Sequence, residues 1–306
     1  MAAPHLPAGY TAHPIDPPAD RPRLHDLVTA GRAALGLTEA VDPGALDIVL
    51  KRDGLDPAAD VLLVRAPDGE LAAWAWTDRR TGVEVHPAHR GRGLGSALLD
   101  WTERRARERG DTALTQTVED LDPAATALLH AHGYRPKVTN WLLEIPLDDV
   151  ELPPPPDGVT VRPIRAGDPA DERAAHRLGE AAFADWQERP KPFEEWAAFH
   201  LHRATFAPER SPLAFVDGRL AGLLLALERP GRTDGYVQTL AVDREFRHRG
   251  IARHLLRYSF AACRRAGLTH GTLWTHSGTG ALDLYLKIGM TVRRTTSVVG
   301  KDLTAN

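Results

Sequence analysis

Two tandem α/β domains, each a mixed and largely antiparallel sheet flanked by helices, are what this sequence predicts, and three observations carry the prediction. The segment Arg90-Gly91-Arg92-Gly93-Leu94-Gly95 recurs 157 positions on as Arg247-His248-Arg249-Gly250-Ile251-Ala252, each time after an apolar run and before a helical pattern. Residues 125–134 match residues 281–290 at a shift of 156, so the distance from Gly93 to Gly133 is 40 positions and from Gly250 to Gly289 is 39. Self-similarity at this period means two copies of a whole domain rather than a stack of small units. Finally, Pro153-Pro154-Pro155-Pro156-Asp157-Gly158 divides the chain near its middle, because prolines resist both helix and central strand and favour an extended connector. The domains are expected over residues 1–150 and 158–306.

Each element follows from local pattern. In the first half, residues 21–37 and 42–55 have helical spacing, and Val61-Leu62-Leu63-Val64-Arg65 reads as a strand. A Pro67-Asp68-Gly69 turn leads into strand 71–76, and strand 82–85 precedes the glycine segment and a helix over 93–109. Strand 112–118, helix 123–132 and strand 140–145 complete the half. The second half repeats the order: strand 159–164, helices 171–183 and 193–205, strands 213–216, 220–228 and 236–242, the second glycine segment and helix 250–266, then strand 269–275, helix 281–288 and strand 291–299. Hairpin-connected strands followed by β-α-β demand a mixed sheet covered by helices.

With 306 residues, 42% hydrophobic, the chain can build two cores of about 150 residues each. The net charge of −3 gives no electrostatic case for nucleic-acid or membrane-surface binding. The mixed-sign stretch from Trp101 to Arg109 reads as a solvated helix face. Cys263 is the single cysteine, so neither an intramolecular disulfide nor a cysteine metal cluster can form, which fits a reducing cytoplasm. The N-terminal residues lack a signal-peptide pattern, and no apolar run approaches a membrane span. None of the 14 histidines falls in a metal motif, and His130/His132 and His200/His202 are spaced to point to different sides of a helix. No metal is expected, and a monomer or homodimer suffices.

A strand that turns into a helix through R-x-x-G-x-[GA] presents consecutive backbone N–H groups at a helix N-terminus, which is a built anion site. The glycines let a phosphate approach without meeting a Cβ, and the arginines add positive charge. Gly91-Arg92-Gly93-Leu94-Gly95-Ser96 is G-x-G-x-G, not the dinucleotide G-x-G-x-x-G, and no G-K-[ST] of a Walker loop is present. Through V-x-P-x-x-R-G-x-G-x-G in the first half (Val85, Pro87, Arg90, Gly91, Gly93, Gly95) and Leu240-Ala241-Val242-Asp243 leading to Arg247, Arg249, Gly250, Ile251 and Ala252 in the second, the chain resembles the GNAT acetyltransferase superfamily twice over.

The resemblance implies a sheet splayed through a bulge beside the strand before the glycine turn, with acetyl-CoA as the cofactor. The coenzyme pyrophosphate would lie at residues 90–96 and 247–252, and its pantetheine arm along Val83 to Val85 or Leu240 to Val242. It also implies direct acyl transfer to an amine, with a backbone N–H of Ala241 or Val242 serving the oxyanion and a tyrosine protonating the departing thiolate. Tyr285 stands at that place in the second half; its counterpart in the first is Leu129, which cannot donate a proton. His130 beside it points about 100° away on a helix. The first domain is therefore expected to keep the coenzyme cradle without the acid, and the second to be catalytic.

The glutamate that the family often carries on the strand before the turn is absent; its place falls near Tyr236, with Gln238 two further on, and Gly278 stands where an asparagine is usual. Glu228 and His276, each at a strand end, are both candidates for the general base. Asp185-Trp186-Gln187-Glu188 and Glu194-Glu195-Trp196 form an acidic and aromatic mixture that reads first as solvated helix charge with a buried tryptophan and second as a surface suited to a cationic amine. The expected activity is N-acetylation of a small-molecule amine, with a non-catalytic acyl-CoA-binding protein and a protein N-acetyltransferase as the alternatives.

Overall fold

A computed structural model describes residues 4–37, 41, 45–52, 54–148, 150–186 and 189–304, which fall into two units: Met1–Thr139 with Thr295–Asn306, and Asn140–Arg294. This division departs from the one marked by the prolines. Residues 140–145, expected to close the first domain, count with the second unit, while residues 295–299, expected to end the second domain, count with the first. Alternating polarity specifies a strand and its faces but not which sheet edge supplies its ladder, and that is why the sequence could not see the difference.

The first unit runs β1 (Thr11–Pro14), α1 (Pro17–Ala34), α2 (Ala45–Leu50), α3 (Pro57–Asp60), β2 (Val61–Arg65), β3 (Leu71–Thr77), β4 (Arg80–Val85), α4 (Leu94–Arg109), β5 (Ala113–Glu119) and α5 (Pro123–Ala131), and then the start of β6 (Arg135–Pro146). The second continues with β7 (Val159–Pro163), α6 (Pro169–Phe183), α7 (Phe193–His200), β8 (Pro212–Val216), β9 (Arg219–Leu227), β10 (Asp234–Val242), α8 (Ile251–Arg265), β11 (His270–His276) and α9 (Leu282–Ile288), and β12 (Thr291–Asp302) returns to the first. Strand order is β1-β2-β3-β4-β5-β12 in the first unit and β6-β11-β10-β9-β8-β7 in the second. Among the described residues of each unit, β4–β5 and β10–β11 pair in parallel and the other ladders are antiparallel.

Pattern reading overlooked β1 and α3. β1 is four residues at a sheet edge, too short for alternation to register, and it is the counterpart of β7. α3 is one turn, capped where Ala58 N–H donates to Asp56 Oδ1 (3.0 Å). α1 begins four residues before the expected start because Pro17 and Pro18 fit a first helical turn. Of the helix expected over 42–55, residues 45–50 are helical, and positions 42–44 and 53 lie outside the described residues.

Every position of Val61–Val64 is buried because β2 serves two cores. Val61 and Leu63 pack with Leu24 and Leu27 of α1, whereas Leu62 and Val64 pack with Leu94, Leu98 and Trp101 of α4. In the second unit Leu223, Leu225 and Ala241 meet α6 and α7, and Leu224, Ala226, Val237 and Leu273 meet α8 and α9. Three glycines set the depth of α8: a Cβ at Gly222 would fall 2.8 Å from Ile251, at Gly271 2.5 Å from Phe260, and at Gly235 against the Cys263 sulfur. No helix among the described residues is long and apolar enough to cross a membrane.

Candidate active site

Both glycine turns adopt one backbone form. Gly93 (φ 83°) and Gly250 (φ 79°) cap α4 and α8 in the left-handed region, so the first N–H groups of each helix face outward without intrahelical acceptors. Gly91 has φ 73°, and its counterpart His248 holds φ 64° despite its side chain, a strain of about 1 kcal/mol kept at the turn. The flanking arginines act alike: Arg90 Nε donates to Val85 O (3.4 Å) and Arg247 Nε to Val242 O (3.3 Å), tying strand end to turn.

The copies differ in their surroundings. Arg90 also pairs with Asp122 (3.5 Å) and Arg92 donates to the Tyr10 hydroxyl (3.0 Å), while the Arg249 guanidinium lies 5.3 Å from the Phe246 ring centre. Leu94 and Ile251 are 1% and 2% exposed, so these two cradle positions plug the helix start into the core and offer only their backbone outward. A Cβ at Gly95 would come 2.7 Å from Leu128, which makes this glycine a packing requirement between α4 and α5; Ser96 is half-buried, and Ala252 replaces Gly95 in the second copy. The proline run also has a local use, since a Cβ at Gly250 would sit 3.5 Å from Pro156, as one at Gly93 would sit 3.8 Å from Pro7.

The strand before each turn parts from its parallel neighbour. β10 pairs with β11 only over residues 234–237 and β4 with β5 only at Arg80 and Thr81, so each sheet opens toward its glycine turn. In the second unit a bulge inserts Gln238, since Val237 opposes Ala226 and Thr239 already opposes Leu225; β4 against β3 has no such irregularity. Asp243 N–H donates to Ala221 O (2.9 Å), and strand alternation then turns Ala241 N–H toward β9 and the N–H groups of Leu240 and Val242 toward the opened edge. His86 N–H to Ala72 O (2.8 Å) sets the same phase in the first unit, with Val83 and Val85 at the opening.

Tyr285 is 7% exposed on α9 and belongs to the same apolar cluster as Leu240 and Val242 of β10 and Ile251 at the start of α8. Burial pushes its phenol up to about 12, and among the described residues its hydroxyl has no hydrogen-bond partner. Leu129, 2% exposed, fills the corresponding position in the first core.

The two candidate bases part company. Glu228, 54% exposed in its side chain, is held by Arg210 and follows the strand positions that face α8, away from the Tyr236 side. His276 ends β11 in phase with Thr272 and Trp274, opposite to Gly271 and Leu273, which face α8; it thus lies on the Tyr236 side. Burial raises the Tyr236 phenol, over which the Arg229 guanidinium sits 5.1 Å from the ring centre.

Sequence spacing missed His200. α7 ends there, so the contrast drawn between His200 and His202 as two faces of a helix does not apply; His202 instead meets Glu172 at 3.1 Å. His200 Nδ1 reaches Gln238 Oε1 (3.3 Å) at the bulge, and its ring lies 4.6 Å from Trp196 and 4.9 Å from Phe199 between centres. Burial, the largest influence, holds this imidazole down at about 4, so it is neutral at pH 7. The acidic residues beside it form a solvated surface over a buried Trp196 and do not point into the opening: Asp185 pairs with Arg244 (2.8 Å), Glu195 with Arg189 (2.9 Å), and Glu194 is exposed. Gln187 and Glu188 lie outside the described residues.

Comparison with known proteins agrees with this geometry. The profile described as the acetyltransferase (GNAT) family matches residues 38–134 and 174–290. The mycothiol acetyltransferase of Salinispora arenicola is 34% identical over 88% of this chain and 90% of its own length, and that of Thermobispora bispora 30% identical over 90% and 93%. Among solved structures, a GCN5-related N-acetyltransferase from Sphaerobacter thermophilus superposes with a TM-score of 0.79 at 31% identity, covering 97% of each chain. A tandem GNAT protein from the clavulanic acid biosynthesis pathway shares the fold, with a TM-score of 0.69 at 17% identity over 96% of this chain and 98% of that one.

Proposed function

Since the chain belongs to the GNAT acetyltransferase family and is an N-acetyltransferase, we propose that it acetylates the amine of a small molecule from acetyl-CoA, with the chemistry in the second unit. The observation that carries this reading is the difference between the units: Tyr285 against Leu129, and the bulged β10 against the regular β4. A small acceptor is favoured by relatives that are named for acetylating mycothiol rather than a protein.

Acetyl-CoA supplies the activated acyl group and a thiolate that must leave. The second unit has residues that fit it. Outward N–H groups at Gly250–Ile251–Ala252 with Arg247 and Arg249 around them suit a pyrophosphate, and the free edge of Leu240–Val242 suits an amide-bearing arm. The Val242 N–H, directed at the opening, is positioned to stabilise negative charge developing on a carbonyl oxygen, so no side chain is needed there. Tyr285 holds its proton at the hydroxyl over the whole physiological range and can give it as a hydrogen bond to a departing sulfur. His276 is the candidate base that remains on the acceptor face. In the first unit the cradle of Arg90, Arg92 and Gly93 is retained without an acid, which supports coenzyme binding without turnover.

Thiol release from acetyl-CoA, measured with small amines and separately with peptides, tests the proposal. Release with small amines is the expected result. Release with peptides alone would replace it by protein acetylation, and coenzyme binding without release from any acceptor would replace it by a sensing role.

A further inference from the structure

The surface beside the bulge carries two cations that form no ion pair among the described residues. Lys191 Nζ lies 5.4 Å from the centre of the Phe199 ring and the Arg203 guanidinium 5.8 Å from it, and Phe199 is itself 54% exposed. Among the described residues neither cation has a carboxylate within ion-pairing distance. Both act on His200, and Arg203 acts on Tyr236 as well, so their field falls on the residues that line the opening of β10. Glu180 also acts on His200, with its Oε2 accepting the Lys191 backbone N–H (2.7 Å). Arg229, over the Tyr236 ring, spends its charge on Asp234 and Thr272.

This is the reverse of what a wholly cationic acceptor would need. Two cations without a carboxylate partner among the described residues, beside an opening, repel an ammonium ligand and attract an anionic one, discriminating by repulsion as much as by attraction. They flank an exposed aromatic ring that gives a ligand an apolar floor. We propose that the acceptor is a small primary amine bearing an anionic group, a carboxylate or a phosphate, which Arg203 and Lys191 hold while the amine enters the opening beside Gln238. The proposal rests on the acetyl-transfer reading and adds the chemical class of its acceptor.

Matched pairs that differ only in the anion test it: serine against serinamide, and glucosamine 6-phosphate against glucosamine. Charge-assisted hydrogen bonds of the usual strength give the anionic member an advantage in kcat/KM of about tenfold to a hundredfold, carried mainly by KM and weakened by added salt. Preference within the first pair alone identifies a carboxylate, and within the second alone a phosphate. The double variant Arg203→Gln, Lys191→Gln should collapse the preference to within about twofold by raising KM for the anionic member. Arg203→Lys should keep part of it, because a point charge remains where the planar fork is lost. Titration with acetyl-CoA reports whether the variants keep a folded cradle. Equal use of both members by the unaltered protein, or a preference that survives the double variant, overturns the inference and leaves acetyl transfer standing. Failure of every amine to release thiol would instead defeat the transfer reading, and this inference with it.

Discussion

Replacing Tyr285 by phenylalanine removes one oxygen from the chain at the point where the two units differ chemically. The side chain is 7% exposed, and its hydroxyl has no hydrogen-bond partner among the described residues, so stability should change by less than about 1 kcal/mol. Catalysis should change far more. With the phenol pushed up to about 12 and an ordinary thiol near about 8.5, full proton transfer to a relaxed thiolate is uphill by about 5 kcal/mol, at 1.36 kcal/mol per unit. Tyr285 is thus best described as a hydrogen-bond donor to charge that develops on sulfur, a contact worth about 1.5–3 kcal/mol. That corresponds to a loss of about tenfold to a hundredfold in kcat. The assay is single-turnover thiol release from pH 6 to 10, where the wild-type rate should show no basic decline from this residue, because its phenol stays protonated throughout. Coenzyme affinity should stay within about twofold, since the phenol acts on the departing sulfur and not on the phosphates. A phenylalanine variant with unchanged kcat when chemistry limits the rate would remove Tyr285 from the mechanism.

Calorimetric titration with CoA should reveal up to two sites per chain; Gly250→Glu should remove one and abolish transfer, while Gly93→Glu should remove the other and spare part of the activity. Because both glycines have positive φ, Gly250→Ala and Gly93→Ala are needed beside them to separate backbone strain from charge, with circular dichroism on each. Asp171, 4% exposed, accepts a bidentate pair from Arg162 (2.6 and 2.7 Å) and further bonds from Arg165, which hold its carboxyl well below the usual range; Asp171→Asn should cost about 2–3 kcal/mol in denaturant unfolding. His200 titrates at about 4 when folded and near about 6.5 when unfolded. Its contribution is therefore complete above pH 6.5 and is lost as pH falls toward 4, by up to about 3 kcal/mol. His200→Gln should flatten unfolding stability across that window, and an unchanged slope would show that the imidazole is freely hydrated.

The sequence by itself determined the parts whose physics is local. A glycine with positive φ, a helix start and flanking arginines lie within six consecutive residues, so both glycine turns were legible and both took the left-handed form, with Leu94, Ile251 and Gly95 serving packing. The GNAT resemblance singled out Tyr285, and spacing then gave Leu129 as its counterpart, four residues before Gly133 as Tyr285 is before Gly289. Tertiary structure decided everything that depends on which strand lies beside which. Residues 140–146 take their ladder from β11 and residues 296–302 from β5, a choice of edge that alternation cannot encode. The bulge at Gln238 is a relation between β10 and β9, so neither strand alone announces it. It is also what sets Gln238 against His200, a histidine that spacing had set aside. The acidic and aromatic residues around Asp185 and Glu195 allow either a cationic acceptor or a solvated helix face by composition, but direction is fixed only by packing, which turned Asp185 and Glu195 to arginine partners and, among the described residues, left Lys191 and Arg203 without a carboxylate beside the opening. Charge in a sequence is a sum, whereas charge at a site is a vector set by the fold.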